Sequence, residues 1–135
     1  MSEWYYPVVD TESEPFWNAC REGRLLVKRC RSCAKVYYYP RRQCPQCWSE
    51  DTEWLECSRR GTVYSYSVVH QNPAAPFKDL CPYGTVLVDL EEGPRMMTNW
   101  DFDVPLDALR CGLPVEIAFR KVDDTLCLPI VRPRA

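Results

Sequence analysis

The sequence predicts a mainly β protein in three parts: a short N-terminal helix, a small metal-organised ribbon and a five-stranded barrel. Three observations predict it. Two Cys-x-x-Cys pairs, Cys30–Cys33 and Cys44–Cys47, stand ten residues apart. From residue 60 onward, runs of β-branched and aromatic residues alternate with polar ones and are broken by turn residues. Twelve prolines in 135 residues argue against long helices. The expected boundaries are 1–29 for an N-terminal arm and short helix, 30–56 for the ribbon and 57–135 for the barrel.

Residues 13–23 read as the helix. Ser13 is placed to cap it, Glu14 suits the positive end of its dipole, and Pro15 is tolerated in its first turn. Phe16, Trp17 and Cys20 share one side, and Gly23 stops it. Ahead of it, Trp4, Tyr5 and Tyr6 form an aromatic arm. The arm either folds back on its own domain or contacts a partner, since Trp and Tyr are favoured interface anchors.

A strand, Leu25-Leu26-Val27, leads into the first cysteine pair. Each Cys-x-x-Cys can form a knuckle, and two knuckles supply four thiolates in a tetrahedron. Cys30, Cys33, Cys44 and Cys47 are therefore the expected ligands of a structural Zn²⁺ with no open coordination position. Disulfides, a redox dithiol or an iron–sulfur centre are the alternatives. Strand-prone Val36–Tyr39 lies between the pairs and Pro40 ends it. The position after each second cysteine often needs positive φ and favours Gly, yet Ala34 and Trp48 occupy these places. Arg29, Arg31, Lys35, Arg41 and Arg42 make this the basic part of the chain. They serve either as solubilising charge or as an attraction for phosphate or an acidic partner.

Strands are expected over 60–70, 83–90, 95–100, 114–119 and 125–131. Gly61 would mark a bulge or bend, residues 71–82 a proline-bearing loop, 106–109 a helical turn, and the last strand, with Pro129, an edge. Five strands with a longer connection between the third and fourth fit a Greek-key barrel of the OB-fold kind.

Composition excludes some functions. The net charge of −2 gives no overall basic field for nucleic acid. No apolar run reaches the length of a membrane helix, and no basic-then-apolar leader opens the chain, so a cytoplasmic location is expected. An odd count of nine cysteines fits a reducing compartment better than a disulfide scaffold. Cys20, Cys57, Cys81, Cys111 and Cys127 are then small apolar side chains. The single histidine, His70, has no evident catalytic partner, although a pair with Cys81 or Cys57 is conceivable. No phosphate-gripping Gly-rich loop and no serine nucleophile motif is present. Tyr64, Tyr66, Tyr83 and Trp100 leave single-stranded nucleic-acid binding as an alternative, without a visible basic groove.

The order of parts resembles one family, the acyl-CoA-associated zinc-ribbon/OB-fold proteins long catalogued as a domain of unknown function. The residues that carry the resemblance are Phe16-Trp17 and Gly23-Arg24-Leu25, then Cys30, Cys33, Tyr38, Pro40, Arg41, Cys44, Pro45 and Cys47, then Gly61–Tyr66, Pro82-Tyr83, Val88-Asp89-Leu90, Gly93, Arg95 and Gly112–Val115. Ala34 and Trp48 depart from the family's usual glycines. The resemblance implies a rubredoxin-like ribbon and a non-catalytic subunit of a thiolase-like enzyme, either a thiolase, an acyltransferase or an aldolase. It implies a hetero-oligomer, two copies on a thiolase dimer, in which this chain helps to form the coenzyme A or acyl-CoA site. Within that picture Arg41, Arg42 and Arg95 are nominated for the phosphates, and Phe77 and Tyr83 for the adenine or pantetheine.

Overall fold

A computed structural model describes residues 6–75 and 77–134. One helix, α1 (Glu14–Arg21), precedes strands β1 (Leu26–Cys30), β2 (Val36–Tyr37), β3 (Thr52–Glu56), β4 (Arg60–Val69), β5 (Tyr83–Leu90), β6 (Arg95–Trp100), β7 (Pro114–Lys121) and β8 (Cys127–Pro133). Short 3₁₀ turns lie at Phe77–Leu80 and Leu106–Ala108.

Helix α1 buries Phe16, Trp17, Ala19 and Cys20, the apolar side expected from their spacing. It stops at Gly23, whose φ is 77°. The start differs from the expectation. Ser13 makes no capping hydrogen bond with its side chain. Its hydroxyl instead donates to Asp10 Oδ1 at 2.8 Å, and its own N–H donates to the same oxygen at 2.8 Å. Asp10 thus ties down the turn before the helix, and these donors hold its carboxyl below the usual carboxylate range. The Ser13 oxygen accepts from the Asp10 N–H at 3.2 Å, so it serves the preceding turn and not the free N–H groups of the helix.

β1 pairs antiparallel with β2 and with β3, giving a three-stranded sheet in the order β2-β1-β3. The remaining strands close into a barrel in the order β4-β5-β6-β8-β7. β4 returns to β7, and β6 runs parallel to β8. This is the five-stranded Greek-key barrel of an OB-fold.

Two expectations about the barrel need correction. The last strand is not an edge, because β8 pairs with β7 along its length and with β6 at Asn99–Ile130 and Trp100–Val131. Pro129 is accommodated because β6 and β8 have not yet met at that level. Its missing N–H therefore leaves no ladder bond unmade on that side. Gly61 is not the bulge; the register shifts between Val63 and Ser65. A Cβ at Gly61 would come within 2.6 Å of the Asp89 carbonyl oxygen, so the glycine serves close approach of two strands.

The ribbon and barrel share a core. Leu25, Val27 and Cys57 from the ribbon side pack in one cluster with Phe16 and Trp17 of α1 and with Val86, Val88, Val115, Ile117 and Val131 of the barrel. The joint is clasped. Ser58 N–H donates to Glu92 at 2.9 Å, its hydroxyl donates to Glu91 at 3.0 Å, and Ile117 N–H donates to the Arg59 carbonyl at 2.7 Å.

Candidate functional site

The sequence separates the two cysteine pairs, and the fold closes that gap. β1 ends at Cys30, the first knuckle turns at Cys33, and the chain returns through Tyr37 so that Cys44 and Cys47 face the first pair. Tyr37 is buried, and its hydroxyl donates to the Arg41 carbonyl at 2.9 Å, which holds the approach to the second knuckle. The four Sγ atoms lie within 4.8 Å of one another, with Cys30–Cys47 at 3.5 Å and Cys33–Cys44 at 3.6 Å. Thiolates held at ~2.3 Å from a tetrahedral zinc stand about 3.8 Å apart, so this donor set fits Zn²⁺. Backbone N–H groups turn toward the sulfurs, Cys33 N to Cys30 Sγ at 3.5 Å and Gln46 N to Cys44 Sγ at 3.4 Å. The Cys33 N–H is the main cause that lowers the Cys30 thiol to about 6. Outside the cluster, burial pushes Cys20 and Cys57 up to about 12, as expected of inert core thiols. Ala34 and Trp48 do adopt positive φ, 66° and 67°. The knuckles thus take their usual shape on non-glycine residues, at a cost of about 1 kcal/mol each.

The residues nominated for coenzyme A fall in three places. Arg41 and Arg42 sit on the ribbon beside exposed Trp48, Arg42 pairing with Glu50 at 3.3 Å. Phe77 and Tyr83 come together with ring centroids 5.5 Å apart, and Tyr83 also meets Phe102 at 5.9 Å. Arg95 lies at the other end of β5 from Tyr83, opposite Asp89, roughly 20 Å along the strand. It pairs with Asp89 at 2.6 Å, and its guanidinium rests 3.4 Å over the Tyr64 ring. That stacking occupies one face of the Tyr64 ring. His70 is exposed in the loop after β4. Trp4 and Tyr5 of the arm lie outside the described residues. Tyr6 packs against the main core.

Sequence reasoning missed one feature. A cleft of about 400 Å³ opens where β6 and β8 diverge. Trp17, Tyr38, Phe77, Met97 and Leu128 wall it, and Arg120 stands among its lining residues. Those residues come from α1, the ribbon, a loop and three barrel strands, so no local pattern announces them. The only sequence signal was Pro129 interrupting a strand that is otherwise apolar.

No helix among the described residues is long and apolar enough to cross a membrane. Comparison with known proteins agrees with the geometry. Residues 17–53 match the family described as "ChsH2, rubredoxin-like zinc ribbon domain", and residues 54–120 match "ChsH2, C-terminal OB-fold domain". The chain is 35% identical over 127 residues to the "Probable enoyl-CoA hydratase alpha subunit" of Thermomonospora curvata, covering 94% of this chain but 39% of that protein. It thus spans well under half the length of that relative. It is 39% identical to a "DUF35 domain-containing scaffold protein" of Methanothermobacter thermautotrophicus, over 73% of each chain. It is 35% identical to the "Benzoylsuccinyl-CoA thiolase subunit BbsA" of Geobacter metallireducens, over 66% of this chain and 57% of that one. Among solved structures, "Ltp2-ChsH2(DUF35) aldolase" superposes with a TM-score of 0.81 at 34% identity, over 95% of this chain and 98% of that one. With both halves matched in order and the ribbon and barrel in place, the chain belongs to the ChsH2 (DUF35) family of zinc-ribbon/OB-fold proteins.

Proposed function

We propose that this chain is a non-catalytic, zinc-stabilised subunit of an acyl-CoA-processing complex, docked on a thiolase-like catalytic subunit and helping to form its coenzyme A or acyl-CoA site. The observation that carries this reading is the match to nearly the full length of a ChsH2 chain solved as part of an aldolase with Ltp2. The relative named as a thiolase subunit supports the same assignment. Physical chemistry agrees with it. Four thiolates close the metal's coordination shell, which leaves no position for an activated water. The exposed His70 has no catalytic role in this reading. Thioester chemistry then falls to the partner, and this subunit lowers the entropic cost of holding a long flexible substrate.

In this reading the complex is cytoplasmic, with two copies on a catalytic dimer. Arg41, Arg42 and Arg95 meet phosphates, while Phe77 and Tyr83 meet adenine or pantetheine. Arg95, opposite Asp89, and Tyr83 stand at the two ends of the β5–β6 ladder, so a coenzyme A that meets both must lie extended along it.

The test is a tagged pull-down from the native host with the bound proteins identified by mass spectrometry. A stoichiometric thiolase-like protein is expected, with thioester turnover by the recombined pair and none by either chain alone. Recovery of nucleic acid, or of no stoichiometric partner, overturns the reading. The phosphate assignment fails separately if Arg41→Ala and Arg95→Ala leave the coenzyme A affinity of the complex unchanged.

A further inference from the structure

We infer that Cys47 is an oxidation site, where a hydroperoxide converts the four-thiolate cluster into a Cys30–Cys47 disulfide and releases the metal. The four ligands are not equally sheltered. Cys30 and Cys44 are 0% and 1% exposed and Cys33 is partly covered, whereas Cys47 is exposed. Its neighbours Pro45, Gln46 and Trp48 are exposed as well, so the second knuckle turns its outer side to solvent. A small neutral oxidant therefore meets the Cys47 sulfur first. That sulfur stands 3.5 Å from Cys30 Sγ, while Cys33 and Cys44 form the other close pair at 3.6 Å.

Coordination keeps all four sulfurs as thiolates, the nucleophilic form. The electrons come from sulfur, since zinc has no redox chemistry of its own. The Cys47 sulfur attacks one peroxide oxygen, and the O–O bond breaks to give a sulfenic acid and hydroxide. The Cys30 thiolate then attacks the Cys47 sulfur. The S–S bond forms, the S–O bond breaks and a second hydroxide leaves. Two thiolates have supplied two electrons, and with two protons from water the peroxide becomes two waters. Cys33 and Cys44 alone are too few donors to retain the metal. A disulfide bond of about 2.0 Å asks the two sulfurs to close by about 1.5 Å. Contacts outside the cluster keep the knuckles facing each other during that step. The Ser32 and Ser49 hydroxyls hydrogen-bond at 2.9 Å, and the Arg31 N–H donates to the Asp51 carbonyl at 2.9 Å. A dithiol reverses the change by returning two electrons, which makes the oxidation a switch and not damage.

The experiment treats the full-length, zinc-loaded chain with hydrogen peroxide while a chromogenic chelator reports free zinc. Release of the bound zinc is expected, together with one new disulfide, Cys30–Cys47, in unreduced peptides mapped by mass spectrometry. Dithiothreitol and added zinc should restore the starting protein. Cys111→Ser removes the other exposed thiol and should leave the release rate unchanged. Cys47→His keeps a zinc-ligand side chain but removes the attacking sulfur, and should slow release about tenfold or more. If that variant loads no zinc, the disulfide map of the unsubstituted chain decides by itself. A Cys33–Cys44 disulfide in its place, release from Cys47→His at the unsubstituted rate, or zinc retained at peroxide levels that oxidise Cys111 overturns the assignment. Because no partner enters this experiment, its failure is distinct from a failed pull-down.

Discussion

The ribbon and the barrel obey different rules of stability. Within the ribbon, the buried cluster around the metal site is Cys30, Tyr37 and Cys44, with Cys33 packed beside it. So little apolar surface cannot offset the conformational entropy of some twenty ordered residues, about 1 kcal/mol or more each. The barrel and helix share a larger cluster in which Val86, Val88, Val115, Ile117 and Val131 are fully buried. One region is held by coordination bonds and the other by burial. Strained turns are not confined to the ribbon, since Arg59 at the joint also has positive φ, 70°. The ribbon tolerates Ala34 and Trp48 in left-handed conformations because the metal over-determines its turns.

Removing the metal should separate the two regions most clearly. Strong chelation, or Cys44→Ser, should abolish hydrogen-exchange protection over 30–51 while the barrel strands stay protected. The loss should equal most of the binding energy of a structural zinc, about 10 kcal/mol in small domains. A metal-free ribbon that keeps its protection would erase the distinction. Next in size, Ile117→Ala should cost about 2–5 kcal/mol in urea unfolding of the barrel and leave zinc stoichiometry at one. Gly61→Ala should cost roughly 1–3 kcal/mol, since the new methyl would press on the Asp89 carbonyl. A neutral result would mean the strands can separate there. Ala34→Gly should tighten zinc by a few fold, about 0.5–1 kcal/mol, when measured by competition with a chelator. Weaker binding would show that the turn is unstrained.

The last prediction has no stability effect at neutral pH. Exposed Cys111 should react with a thiol reagent in the folded protein, whereas buried Cys20 and Cys57 should react only on unfolding. Above pH 9 the unfolded chain loses thiol protons that the folded chain keeps. Stability should therefore fall as pH rises from about 9 toward 12.

How well the sequence could be read depended on how local the cause was. β5 and β6 coincide with the expected 83–90 and 95–100, because alternation and the Glu91–Pro94 turn are local signals. The metal ligands were equally plain, since two residues between cysteines is itself the geometry of a knuckle. Ser13 stands at the N-cap as expected, but its hydroxyl exchanges hydrogen bonds with Asp10 in the turn before the helix and so does not cap it. Gly61 and Pro129 were recognised as special but given the wrong reasons. What makes each necessary is a strand 28 or more residues away in sequence. The five residues nominated for coenzyme A share chemistry, but adjacency along a barrel depends on register, and register separates Arg95 from Tyr83.

By itself the sequence determined the metal centre, the element order and the fold class. These follow from spacing and period, which act over a few residues. Tertiary structure alone decided where β6 and β8 part, that Arg120 stacks on Phe102 at that opening, and that Arg95 stacks on Tyr64. Such features depend on how a closed barrel shares out its strands, and closure is a property of the whole chain that no single segment encodes.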